Sequence, residues 1–468
     1  MSLTPRQRAS LKWLLEMRRT LALSFPIMAG MIGHMLMGLT DTVMVGRVGV
    51  SALASAALVN TVAHIPVVFV LGLLASVQIL TSQAFGARQP VEAGETFRHG
   101  LLMAAIAGLA TAVGLVLIGP YLTLLGQPAD VVAGSQGYLR YIAWSMLPAL
   151  ISHAAKQFSE SLNQPWLPMV IVLGGVAVNI FLNWVFIFGN LGAPVMGLEG
   201  AGLATLLARL ATVTGMLLFV LRSVRTRVWL PAVWLRNWSL RRLREQFKLG
   251  FPVGLQTLME VGGFSLGALM MGWISAEAMA AHQVAITCAA TTFMFALGVG
   301  MGVSIRVGHA WGAGLPSRLK RIAYGGTFMG AGAMGLFALV FMLGGEVIAG
   351  WFVLDAEVIR LAAALLFVAG IFQVVDGTQV VMISALRGMS DVRLPLIIVA
   401  ISYWALALPL AYVLAFVFGH GAVGVWIGLA TGLAAAAFGL TARFHWRSGE
   451  AATGKLPEES PAIAPATP

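Results

Sequence analysis

One cysteine is all this chain has. Cys288 lies in an apolar stretch, so no intrachain disulfide can form, and the residue reads as a small buried hydrophobe. Charge is nearly as scarce, at 10% of 468 residues. There is no glycine-rich nucleotide-binding motif and no nucleophile–base pair, and His64, His153, His282 and His309 are scattered without ligand spacing. Phosphate-driven work and metal chemistry therefore have no visible foothold. A cleavable leader pattern is missing too. The first apolar run is too long for one and no small-residue cleavage site follows it, so it reads as a membrane span.

What the chain has in abundance is apolar surface: 59% of its residues are hydrophobic, and its mean hydropathy is +0.88. A water-soluble domain of this size could not hide that surface, so the solvent is lipid. Twelve continuous apolar runs stand near 20–44, 56–80, 98–119, 138–159, 168–189, 200–222, 249–273, 281–305, 323–344, 359–384, 394–416 and 422–442. Each is long enough for a helix to cross about 30 Å of hydrocarbon. None alternates as a barrel strand would. The predicted fold is an all-α integral membrane protein. Its twelve transmembrane helices form two six-helix bundles related by a pseudo-two-fold along the membrane normal.

Placing both termini in the cytoplasm puts about 25 of the 29 Lys and Arg residues on cytoplasmic segments, with Arg6, Arg8, Lys12, Arg18 and Arg19 at the start. The net charge of +11 is thus a topology and lipid-headgroup signal, and nucleic-acid binding is not expected. The expected organisation is a cytoplasmic segment 1–19, an N-lobe 20–222, a basic cytoplasmic linker 223–248, a C-lobe 249–446 and a disordered tail 447–468. The linker interleaves Arg222, Arg225, Arg227, Arg236, Arg241, Arg242, Arg244 and Lys248 with Trp229, Trp234 and Trp238, which suits a headgroup-level segment. The tail ends in SPAIAPATP.

The two lobes are copies. Phe25-Pro26 answers Phe251-Pro252, Gly46 answers Gly272, Gly72 answers Gly298, Gly86-Ala87 answers Gly312-Ala313 and Pro90 answers Pro316, all at an offset of 226. Further on, Leu167-Pro168 answers Leu394-Pro395 after a one-residue slip. Each copy holds an even number of spans, so both enter the membrane from the same side, and two bundles meeting at a cleft follow.

Three acids cannot be moved out of the spans: Asp41, Glu260 and Asp376. A carboxylate in hydrocarbon costs about 2.5–3.5 kcal/mol, so each needs water, a partner or a proton. Asn179 and Asn183 are four apart and share a helix face. With Asp41 and Thr205 they offer an oxygen nest for a monovalent cation or a protonation network. Polar glue between helices is the other use of such residues. Arg209 also falls mid-span and is open to a packing or an ion-pair role.

Several runs, in this order and spacing, carry a family likeness: FP near the start of each half, TDTVMVGRVG at 40–49, SQAFGARQP at 82–90, NIFLNWVFIFGNLGAPVMGLEGAGLAT at 179–205, AAHQVA at 280–285 and LRGMSDVRLP at 386–395. Over roughly residues 15–445 the chain resembles the MATE (multidrug and toxic compound extrusion) transporters of NorM type. The resemblance implies a cation-coupled antiporter, driven by H+ or Na+. It would export amphipathic, mostly cationic drugs or toxic organic compounds by alternating access. It also implies an N-lobe network of Asp41, Asn179, Asn183 and Thr205, a cleft glutamate at Glu260, a coupling-ion aspartate at Asp376 and a helix bend at Pro26. Gln283 is a recurrent feature of such chains. Phe372 stands where they often have Tyr, which offers a cation–π face but no oxygen ligand and leans the expectation toward protons.

The duplication adds one hypothesis. His34 is the repeat equivalent of Glu260, so it is expected at the cleft with Gln283 and Phe372, titrating with or against Glu260. A satisfied interior histidine is the alternative. No cofactor, no catalysis and a monomer among membrane lipids are expected, in a bacterial inner membrane. The rival readings are a lipid-linked saccharide flippase of the same superfamily and an integral-membrane enzyme. The flippase would be expected to have more spans and a basic cleft.

Overall fold

In hydrocarbon every backbone amide must be satisfied within its own segment, which leaves the helix as the available form for continuously apolar runs. The computed structural model describes residues 5–234 and 238–453, with side chains from Leu11, and among them there is no strand. The long helices are α1 (Pro5–Gly46), α2 (Val50–Gly86), α3 (Pro90–Ile118), α4 (Ala129–Ser161), α5 (Trp166–Phe188) and α6 (Gly197–Arg222). After a single turn at Val224–Arg227 come α7 (Leu240–Ile274), α8 (Ala276–Gly312), α9 (Pro316–Gly350), α10 (Ala356–Gly388), α11 (Arg393–Val417) and α12 (Gly421–Ala452).

Eleven of these helices are long and apolar enough to cross a membrane. The twelfth expected span is α4, which is 33 residues long and carries buried Ser135, Ser145, Ser152, Gln157, Ser159 and Glu160. Its polarity has a packing cause. Within its unit α4 lies against α2, α3 and α6, so its faces meet protein more than lipid. In the second repeat α10 takes the same inner place, against α8, α9 and α12.

Several helices overrun the apolar runs that announce them. The start of α1 is the basic segment expected to lie outside the span, and α7 absorbs the end of the linker from Leu240. Both extensions carry arginines past the apolar run while continuing the hydrogen-bonded ladder. The last helix runs to Ala452, taking in the first six residues of the expected tail, with Ser448 buried and Arg447 paired with Glu450 at 3.6 Å. The rest of the tail (454–468), residues 1–4 of the N-terminal segment and 235–237 of the linker lie outside the described residues.

Residue chemistry sets the ends. Pro90 and Pro316 open α3 and α9, where a missing N–H costs nothing. Ser275 caps α8 by accepting from the Ala278 amide, and Asp355 caps α10 by accepting from Glu357 and Val358. The repeat persists into backbone angles. Arg88 (φ 57) and Gly314 (φ 64) are repeat equivalents in the turns before those prolines, and both adopt the left-handed conformation. Asn163 and Ser390, related through the one-residue slip, are both at φ 60 after α4 and α10.

The chain divides into two compact units, Pro26–Leu258 on the one hand and Met1–Phe25 with Met259–Pro468 on the other. Helix α1 therefore changes unit at Phe25-Pro26 while remaining helical through the proline. In the first unit the start of α7 crosses α2 so closely that a Cβ on Gly250 would stand 1.9 Å from the Leu73 carbonyl oxygen. In the second the start of α1 crosses α8, where a Cβ on Gly302 would stand 2.1 Å from Ser24 Oγ. Small residues permit both crossings, as they do between helices in lipid generally.

Candidate functional site

In the unit Pro26–Leu258 the polar residues of three helices converge. Asn179 and Asn183 sit one turn apart on α5 and are wholly buried. Asn183 Nδ2 donates to Asp41 Oδ1 of α1 at 2.5 Å and to Asn179 Oδ1 at 3.2 Å. Asn179 Nδ2 continues to Thr205 Oγ1 of α6 at 3.4 Å, and that hydroxyl donates to the Ala201 carbonyl at 2.9 Å. All four residues named from the sequence are thus joined in one chain of hydrogen bonds. One valence is left over: the buried Asn183 Oδ1 has no partner.

Arg209 lies one turn beyond Thr205 on α6. Its Nη1 donates to Ser145 Oγ on α4 at 2.7 Å, and its charge acts on Asp41. The half-buried Asp41 therefore has an amide donor in contact and a guanidinium in electrostatic reach. Sequence reading placed Arg209 mid-span but left it outside the site. Ser145 gave no signal, because serine is common in apolar helices.

In the other unit Glu260 of α7 and Asp376 of α10 are both half-buried, and like charge couples them. Gln379, one turn after Asp376, donates to Glu260 Oε1 at 3.3 Å and to Tyr403 Oη of α11 at 3.2 Å. The tyrosine hydroxyl donates back to Gln379 Oε1 at 3.4 Å. The Asp376 side chain makes no hydrogen bond among the described residues. Tyr403 lies in a stretch of wide i→i+5 turns, Ile401–Ala407, that interrupts α11 and re-aims its side chains. Neither Gln379 nor Tyr403 was legible in advance. Gln379 is uncharged, and its spacing of three from Asp376 is the cue that was there to use.

The remaining expected residues lie apart from these networks. Phe372 is 3% exposed, its ring 5.7 Å from that of Trp426, whose Nε1 donates to His282 Nδ1 at 3.1 Å. Gln283 is exposed on α8, and His34 is exposed on α1, in the unit that does not contain Glu260. Pro26 is buried. Among the described residues no group of three or more His, Cys, Asp or Glu could hold a metal ion. Hard oxygens are available instead, from a carboxylate, two amide carbonyls and a hydroxyl, and these suit a proton or a monovalent cation.

Comparison with known proteins agrees with this plan. A sequence profile of the family described as MatE matches residues 26–185 and 252–413, one match to each repeat. The chain is 38% identical over 436 residues to "Probable multidrug resistance protein NorM" of Bradyrhizobium diazoefficiens, covering 92% of this chain and 93% of that one. It is 34% identical to the protein of the same name from Pseudomonas putida, over 92% and 95% of the two chains. Its fold is similar to the crystal structure of the Vibrio cholerae MATE transporter VcmN in the bent form. The TM-score is 0.86 at 19% identity, with 94% of this chain and 99% of that chain covered.

Proposed function

The chain belongs to the MatE family, and on that premise we propose that it is a cation-coupled antiporter. It exports amphipathic, mostly cationic organic compounds across a bacterial inner membrane, with both termini in the cytoplasm and the protein working as a monomer. Entry of H+ or Na+ drives the two six-helix bundles through alternating access. The observation that carries this reading is the bond from Asn183 to Asp41 inside the bundle, with an unpartnered amide oxygen beside it. A carboxylate so placed is costly unless it exchanges its charge with a proton or a cation.

Coupling follows from charge competition. A cationic compound and a coupling ion cannot both be held well by the same carboxylates, so the arrival of one favours the departure of the other. Asp41, with Asn179, Asn183 and Thr205, serves the first site; Glu260 and Asp376 serve the second. His34 and Gln283 line the path of the compound, while Phe372, expected beside them, is buried against Trp426. Pro26 is the hinge of α1, since a proline removes one rung of the ladder inside a helix.

The test is efflux of one fluorescent organic cation from proteoliposomes under an imposed pH gradient and, separately, an imposed Na+ gradient. One of the two gradients is expected to drive movement, and Asp41→Asn and Asp376→Asn are expected to abolish it with protein still in the membrane. Full gradient-driven transport by both variants would overturn the coupling assignment. Unchanged pH profiles in His34→Ala and His34→Gln would remove His34 from it.

A further inference from the structure

Glu16 and Arg242 occupy the same position of the two repeats, 226 residues apart, and so do Glu92 and Arg318. The structure pairs them crosswise. Arg318 Nε donates to Glu16 Oε1 at 3.0 Å and Nη2 to Oε2 at 3.2 Å, joining the start of α1 to the start of α9. Arg242 Nη1 donates to Glu92 Oε2 at 2.6 Å and Nη2 to Oε1 at 3.0 Å, joining the start of α7 to the start of α3. Each repeat thus ties its first helix to the third helix of the other, at equivalent places and with the charges exchanged.

The two ties differ in what surrounds them. Glu16 is gripped a second time by Arg306, whose Nη2 meets Oε2 while Nη1 meets the Glu16 carbonyl and Thr20 Oγ1. The Arg306 and Glu16 side chains are 8% and 9% exposed, so parting them would strand buried charge. Arg242 and Glu92 are 35% and 36% exposed, and a pair that keeps this much water separates at small cost. Glu92 also stands in the first turn of α3, where the helix dipole favours a carboxylate with or without Arg242. Next to this pair, Gln246 of α7 reaches the Thr96 carbonyl at 2.8 Å but leaves its own buried Oε1 unpartnered. The contact of α7 with α3 is therefore the cheaper one to leave.

We infer that Glu92–Arg242 is a releasable ionic latch on the proposed cytoplasmic side, opening and closing in each transport cycle, whereas Glu16–Arg306–Arg318 is a permanent anchor. The anchor is compatible with movement because α1 changes compact unit at Phe25-Pro26, so its start can stay with the second-repeat helices while the helix flexes at the proline. Helix α7 carries the equivalent proline, Pro252, six residues before its own boundary at Leu258-Met259, so the two ties differ in burial and in the second arginine rather than in the proline. This inference rests on the alternating-access reading above.

The experiment uses the full chain with Cys288→Ala, so that introduced cysteines are the only thiols. Glu92→Cys/Arg242→Cys is joined by a bis-methanethiosulfonate crosslinker that reductant cleaves. Met17→Cys/Gly325→Cys is oxidised directly as the anchor-side control, because Met17 Cγ lies 3.2 Å from where a Cβ on Gly325 would stand. Gradient-driven efflux is compared in each protein before and after bridging. The expected result is loss of efflux on bridging 92 to 242, recovery with reductant, and no loss on bridging 17 to 325. Undiminished efflux with 92 and 242 bridged, or equal loss in the control, would overturn the inference.

If either cysteine pair fails to assemble, charge reversal decides. Glu92→Arg should change the transport rate by up to about fivefold, the scale set by a half-exposed pair, and adding Arg242→Glu should restore it. A double reversal no better than the single one overturns the latch. Failure of the Cys288→Ala parent to transport under any gradient would instead count against the antiport reading.

Discussion

Asn183 donates to Asp41 at 2.5 Å across 142 residues of sequence, and it is the hydrogen-bond donor that this half-buried carboxylate has. A bond of this kind to a charged acceptor is worth about 1.5–3 kcal/mol. Asn183→Leu keeps the branching of the side chain, at a larger volume, and removes the donor. Transport by this variant is expected to fall by roughly ten- to hundredfold, the equivalent of that energy. Asp41→Asn should fall further, because it removes the exchangeable charge itself. Initial rates of gradient-driven efflux, normalised to protein in the membrane, check both. A rate for Asn183→Leu equal to that of the parent would mean that the carboxylate finds another donor.

Gln379 donates to both Glu260 and Tyr403, and Tyr403 is 2% exposed. Gln379→Leu leaves the tyrosine hydroxyl buried without its partner, a cost of about 1–3 kcal/mol. Adding Tyr403→Phe removes the stranded group, so the double variant should be more stable than Gln379→Leu alone. Thermal unfolding in detergent, followed by size-exclusion fluorescence, gives the four midpoints needed for the cycle, with Tyr403→Phe alone and the parent as its other corners. A double variant less stable than the single one would show that the hydroxyl has another partner.

The helix crossings make a sharper steric prediction. Alanine at Gly250 would push a methyl group against backbone at Leu73, which cannot rotate away. Alanine at Gly302 meets the oxygen of Ser24, the repeat equivalent of Gly250, so trimming that oxygen opens the space. Gly250→Ala is expected to cost at least about 1–3 kcal/mol, as overpacking does. Gly302→Ala should be rescued in large part by Ser24→Ala. Expression level and melting midpoint distinguish the cases, and an undamaged Gly250→Ala would contradict the tightness of the α2–α7 crossing.

Much of this molecule was legible before any coordinates. The spans announce themselves because hydrocarbon tolerates no unsatisfied backbone, and the repeat shows in residues with steric work to do, such as Pro90 and Pro316. Asp41 with Asn179, Asn183 and Thr205 could be grouped, since a polar residue in an apolar run is conspicuous and a spacing of four sets a shared face. Gln379 and Tyr403 stayed hidden because neither carries charge and their contact depends on a local widening of α11. The pairing of Glu16 with Arg318 hid for another reason. Charged residues at span ends read as solvated, and only the crossing of α1 into the second-repeat helices brings them together. Helices run past the apolar runs wherever the ladder continues, as in α1, α7 and α12.

Repeat equivalence also allows a backbone experiment in which one half serves as the control for the other. Arg88 and Gly314 hold the same left-handed conformation at φ 57 and 64. An L-residue pays about 1–2 kcal/mol there, from Cβ crowding against the following carbonyl, and glycine does not. Glycine gives back roughly 0.5–1 kcal/mol through the greater freedom of its unfolded chain. Arg88→Gly should therefore stabilise the protein by about 0.5–1 kcal/mol, and Gly314→Ala should destabilise it by a similar amount. Arg88 is exposed and Gly314 has open space around it, so packing should not obscure either change. Melting midpoints that shift in opposite directions are the expected outcome. A shift in the same direction would mean that the Arg88 side chain contributes a contact outweighing its backbone strain.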